Sequence, residues 1–161
     1  NELKKDRYDC ILWTFTKDER ISASPKSWGY AVLENDGKTI KDMSVKIPIS
    51  DNPFKDHVVA ATFWVKSKKI LYEAIRKMME KQIKTNNEYY LDNLPLALHF
   101  LNRKSCIYDV DLLVGWGTPS EFHEYEKIEY FHRFGKLSEL GFSSEIQQLW
   151  KRYFENERRK I

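Results

Sequence analysis

Apolar positions fall into short continuous runs and longer one-sided stripes, divided by polar turns. Tyr8 to Phe15 reads Tyr-Asp-Cys-Ile-Leu-Trp-Thr-Phe, and so nearly unbroken a run predicts a strand buried on both faces, as inside an α/β sheet. Gly29 to Asn35 and Thr39 to Lys46 are two further strand-like runs. Asp36-Gly37 between them signals a hairpin whose central residues both take positive φ. Val58 to Lys66 is again apolar almost throughout and predicts another buried strand.

After Ser67, an N-cap residue, the period lengthens. Ile70, Leu71, Ala74, Ile75, Met78, Met79 and Ile83 form the stripe of a helix running to about Lys84, with both methionines in the core and a basic opposite face. A shorter helix is expected from Asn93 to Asn102, with Pro95 in its first turn. Ser105 to Val114 returns to strand character. Thr118-Pro119-Ser120-Glu121 has the form of a capping box. It predicts a helix to about His132, with Phe122, Tyr125, Ile128 and either Phe131 or His132 turned inward. A last helix is expected from Ser143 or Ser144, fraying over Glu155 to Lys160. Strands alternating with helices predict an α/β fold, a mixed sheet flanked by helices.

At 161 residues the chain fits one domain, and 42% hydrophobic with 32% charged residues is an ordinary globular balance. A net charge of +3 is too small to imply a nucleic-acid partner. No apolar run approaches the roughly 18 residues of a membrane span, so no membrane partner is expected. The charged start lacks the apolar core of a signal peptide, and it lacks an initiator methionine, as a processed or excised chain would. Cys10 and Cys106 lie in apolar runs and read as buried free thiols of a reducing, cytoplasmic compartment, with a cross-strand disulfide as the lesser alternative.

Common catalytic signatures are absent from the sequence. It contains no Cys-x-x-Cys, His-Glu-x-x-His, Gly-x-Ser-x-Gly or glycine-rich phosphate loop. His57, His99, His123 and His132 have no tight ligand spacing.

Four segments in order nonetheless resemble one family. Tyr30 to Gly37 with Val45-Lys46-Ile47-Pro48 is similar to the strand pair and Glu-Lys-Pro element of sugar-phosphate nucleotidyltransferases. Val58 to Lys66 resembles that family's Gly-x-Phe-x-Phe strand. Asn87-Glu88-Tyr89-Tyr90-Leu91-Asp92 resembles its Gly-Glu-x-x-x-Asp region. Val110-Asp111, followed by Trp116-Gly117-Thr118-Pro119-Ser120-Glu121-Phe122, is similar to its Asp-x-Gly-Thr-Pro turn. The resemblance covers Tyr8 to Glu126 and implies the C-terminal portion of a nucleotidyltransferase (GT-A-like) fold. Residues 1–134 would form the sugar-phosphate-binding part and 135–161 a helical extension.

In that family a sugar phosphate attacks the α-phosphorus of a nucleoside triphosphate, yielding a nucleotide sugar for polysaccharide precursors. The resemblance implies Lys46 facing a phosphate, Glu88, Tyr89 and Trp116 at the sugar, and Asp111 as a carboxylate for Mg2+. Sugar phosphate and nucleoside triphosphate would be the partners of the intact enzyme, and the missing N-terminal segment or a second copy would cover exposed surface. The departures matter equally. Val45 replaces a Glu, Ala61 a Gly, and Gly115 the family's metal-binding Asp, and this chain contains no counterpart of the loop that grips the triphosphate. Catalysis of this kind is positioning and charge neutralisation, so no catalytic residue is assigned and the isolated chain is expected not to turn over. A non-catalytic binding module retaining the fold, or an enzyme for another phosphorylated acceptor, are the alternatives.

Overall fold

Strand β1 (Cys10–Phe15) lies between an antiparallel and a parallel neighbour, and its residues are buried except for half-buried Trp13. The computed structural model describes residues 7–158. A short helix α1 (Glu19–Ala23) follows, then β2 (Gly29–Leu33), β3 (Ile40–Val45), β4 (Val58–Val65) and helix α2 (Lys68–Glu80). Helix α3 (Leu94–His99), β5 (Ser105–Asp109), α4 (Pro119–Phe134) and α5 (Ser144–Arg158) complete the order. The strands form one mixed sheet in the order β3-β2-β4-β1-β5, in which only β1 and β5 run parallel. The α/β expectation is met. No helix among the described residues is long and apolar enough to cross a membrane.

The chain packs as two units, Asn1–Val110 and Asp111–Ile161. In the first, Leu12, Met43, Val59, Ile107 and the inner faces of α2 and α3 share a core. The tip of the β2–β3 hairpin returns to the outer edge of β5, where the Ile107 N–H donates to the Lys38 carbonyl at 3.0 Å, so that this edge is not left bare. In the second unit Ile128 of α4, Leu137, and Trp150 and Phe154 of α5 make a separate core. Leu137 and α5 therefore pack with α4 inside one unit, and the two units divide at Val110/Asp111.

Several local expectations are corrected. The hairpin turn is at Asp36-Gly37, but only Gly37 has positive φ (+64°). The Gly37 N–H donates to Glu34, and the Asp36 carboxylate accepts from the Lys38 and Thr39 amides at 2.9 and 2.8 Å. A longer loop with a left-handed glycine replaces the two-residue turn. β4 is not buried throughout. Three residues of β4 (Ala60, Ala61, Thr62) oppose Trp13 alone on β1, and this bulge lifts Ala61 and Thr62 into solvent while Val58 and Val59 stay buried.

α2 starts as expected, Ser67 accepting from the Ile70 N–H, but stops at Glu80. Gln82 takes φ +51°, and the Ile83 and Gln82 amides donate back to Met78 and Met79, a Schellman stop. Met78 is buried, whereas Met79 is 52% exposed on the outer face. β5 ends at Asp109 and does not continue to Val114. Phe122 is exposed, because on α4 it lies about 120° around from buried Ile128. Cys10 and Cys106 are buried free thiols, and burial pushes them up to about 12 and about 11. Fraying of Glu155 to Lys160 is not seen as far as Arg158, where α5 ends, and Arg159 and Lys160 lie outside the described residues.

Candidate functional site

Strand register defines one edge of the sheet where polar groups gather. Phe15, at the carboxyl end of β1, pairs with Val58, Val58 with Tyr30, and Gly29 with Val45. Lys46, just past β3, therefore stands at the level where β1 and β5 end, the side on which open α/β sheets bind ligands.

Lys46 is half-buried and holds φ +64°, its N–H donating to the Trp28 carbonyl at 2.7 Å. A left-handed lysine costs roughly 1–2 kcal/mol, so the backbone here is held by its surroundings. Its ammonium lies 5.3 Å from the centre of the Tyr90 ring. The Tyr90 hydroxyl donates to the Glu88 carboxylate, and this bond raises the pKa of the phenol. Lys46 and Glu88 are thus brought to one aromatic ring. Tyr89 is not: it is exposed, and its ring faces Lys84 at 4.9 Å.

Asp92, the last residue of the Asn87-to-Asp92 segment and one with no expected role, belongs to this cluster as well. It is half-buried against Gly29, where an added Cβ would stand 2.3 Å from Asp92 Oδ2, so a side chain there would displace the carboxylate. Burial pushes the Asp92 pKa above the ordinary aspartate value, against the pull of the Lys46 ammonium. A carboxylate kept where ionisation is disfavoured beside a strained lysine is the kind of arrangement that marks binding sites.

A second cluster had no signature in the sequence. The buried Thr14 hydroxyl donates to Asp109 Oδ1 at 2.5 Å, and His57 Nδ1 meets the same oxygen at 2.9 Å. Burial pushes the Asp109 carboxyl up, but the hydrogen bonds from His57 and Thr14 outweigh it and hold the pKa below its usual value. These residues tie the ends of β1 and β5 to the start of β4.

The remaining expected site residues, Asp111 and Trp116, lie in the second unit. Trp116 is 60% exposed with its ring edge-on to Tyr125 at 5.3 Å. Asp111 is exposed, in the loop between β5 and α4. Thr118 Oγ1 accepts from the Glu121 N–H at 3.2 Å and donates to the Glu121 carboxylate. Its role is capping, although Glu121 meets the cap's hydroxyl here. No group of three or more His, Cys, Asp or Glu side chains that could hold a metal converges among the described residues. A divalent Mg2+ often takes only one or two protein carboxylates and completes its shell with water and phosphate oxygens. Asp111 is a single exposed carboxylate.

No family model matches the sequence, and no curated protein does. Among solved structures, the chain is similar in fold to a nucleoside-diphosphate-sugar pyrophosphorylase from Vibrio cholerae RC9. The TM-score is 0.64 at 18% identity, over 79% of this chain and 50% of that one. The chain thus spans about half the length of that structure.

Proposed function

We propose that this chain is the acceptor-binding portion of a nucleotidyltransferase that joins a nucleotidyl group to a sugar phosphate, in synthesis of polysaccharide precursors. The observation that carries the reading is Lys46, held in a strained conformation with its ammonium 5.3 Å from the centre of the Tyr90 ring, at the carboxyl edge of a sheet that shares its fold with a sugar-nucleotide pyrophosphorylase. Lys46 would meet the phosphate of the acceptor. Glu88 would accept from sugar hydroxyls beside Lys46, while the sugar-facing parts of Tyr89 and Trp116 rest on the resemblance alone, since Tyr89 carries Lys84 over its ring and Trp116 belongs to the second unit. Asp111, in the second unit, would offer one carboxylate to Mg2+, a role that rests on the resemblance alone.

Gly115 in place of the family's metal-binding Asp favours a second reading, a binding module that retains the fold without turnover. Either way, this stretch by itself should release no pyrophosphate from mixtures of sugar phosphate, nucleoside triphosphate and Mg2+, because it supplies no cation cradle for the departing group. Calorimetric titration tests the site common to both readings. A sugar phosphate should bind the wild-type chain and not Lys46→Gln, and equal heats from both would remove Lys46 from the site. Pyrophosphate release by the purified chain would refute the inactivity.

A further inference from the structure

The modest net charge conceals an asymmetry. Between Lys66 and Lys84 seven Lys or Arg stand against two acidic residues, so this stretch is more positive than the net +3 of the whole chain. Both acids are already engaged, Glu73 with Arg103 at 3.0 Å and Glu80 with Lys77 at 2.6 Å. At about 100° per residue, Lys69, Tyr72, Arg76 and Met79 fall on the side of α2 opposite buried Ala74. Tyr72 and Met79 are 51% and 52% exposed there. Lys68 lies 5.5 Å from the Tyr72 ring, and at the end of the helix Lys81 lies 5.5 Å from the exposed Phe100 ring. Lys69 and Arg76 have no ion-pair partner among the described residues.

We propose that this face of α2 docks on the anionic headgroups of a lipid bilayer, with Tyr72 and Met79 reaching the headgroup boundary. Charge complementarity selects a polyanion, and a cluster of Lys and Arg interleaved with aromatic and thioether side chains on one helix face suits a planar anionic leaflet. Single-stranded nucleic acid is the poorer fit. It asks for open ring faces on which bases stack along a groove, whereas Tyr72 and Phe100 each carry a lysine over the ring and a helix face is convex. Peripheral docking needs no spanning segment, whose absence is the ground on which no membrane partner was expected. The inference stands independently of the sugar-phosphate reading.

Co-sedimentation of the full chain with vesicles tests it. Binding is expected to phosphatidylcholine–phosphatidylserine vesicles and not to pure phosphatidylcholine, with release at high salt. Lys69→Gln combined with Arg76→Gln should lower partitioning about 25-fold, each basic side chain near the leaflet being worth about fivefold, with the melting temperature unchanged. Tyr72→Ala keeps the charge and should weaken binding less. The proposal is overturned by equal binding of wild type and the double variant, by equal binding to neutral vesicles, by binding to neither, or by preference for single-stranded RNA over the anionic vesicles.

Discussion

At the scale of single residues, the informative positions are those held against their own preference. Ala61 has φ +51° at the β4 bulge, a conformation that favours glycine, so its Cβ is held under strain. Ala61→Gly should therefore stabilise the protein by about 1 kcal/mol. The urea midpoint reports it, and an unchanged or lower midpoint would show that the bulge is not strained. Asp92 is held against its ionisation. Its folded-state pKa lies above the unfolded one, so the native state binds the proton more tightly. The stability this contributes is complete below about pH 4 and is lost as pH rises through the folded value. Asp92→Asn should remove that loss, so the variant gains on the wild type as pH rises from about 4 towards 7. Denaturant midpoints measured across that range check it, and a difference that does not change with pH would mean Asp92 is not desolvated.

At the scale of elements, helix starts were legible and helix stops were not. Ser67 and Thr118 both cap as their side chains predict, because an N-cap is written in one residue type and its spacing. α2 ends where Gln82 adopts a conformation usually left to glycine, and nothing in the composition of that stretch announces it. The β4 bulge is equally silent, since an apolar run reads the same whether or not two residues loop out of register. The apolar stripe placed Met78 correctly and Met79 wrongly, because a contiguous pair spans more of the helix circumference than the core covers. For the second unit, Thr118→Ala should cost about 0.5–2 kcal/mol by leaving the first turn of α4 without its acceptor. Chemical denaturation followed by the signal of that unit measures it, and a midpoint equal to wild type would mean the cap contributes nothing.

At the scale of the whole molecule, the order of strands and helices was enough for the fold class, and the segments around Lys46 and Glu88 hold two of the residues that meet at the Tyr90 ring. The His57–Asp109–Thr14 cluster was not legible, because its members are 52 and 95 residues apart and meet only through the register of β4, β1 and β5. Asp92 was visible as a motif residue, but its closeness to Gly29 depends on how the segment after α2 folds back on β2. The reading of the sheet edge rests on one side chain, Lys46. The most direct measurement is the thermal shift of this chain with a panel of sugar phosphates, the parent sugars and inorganic phosphate, for wild type and Lys46→Gln. A ligand at about 100 times its dissociation constant stabilises by roughly 2.7 kcal/mol, a rise of about 5–10 °C for a chain of this size. The account predicts such a rise with at least one sugar phosphate, little with sugar or phosphate alone, and none in Lys46→Gln; an equal rise in that variant, or no rise with any sugar phosphate, would contradict it.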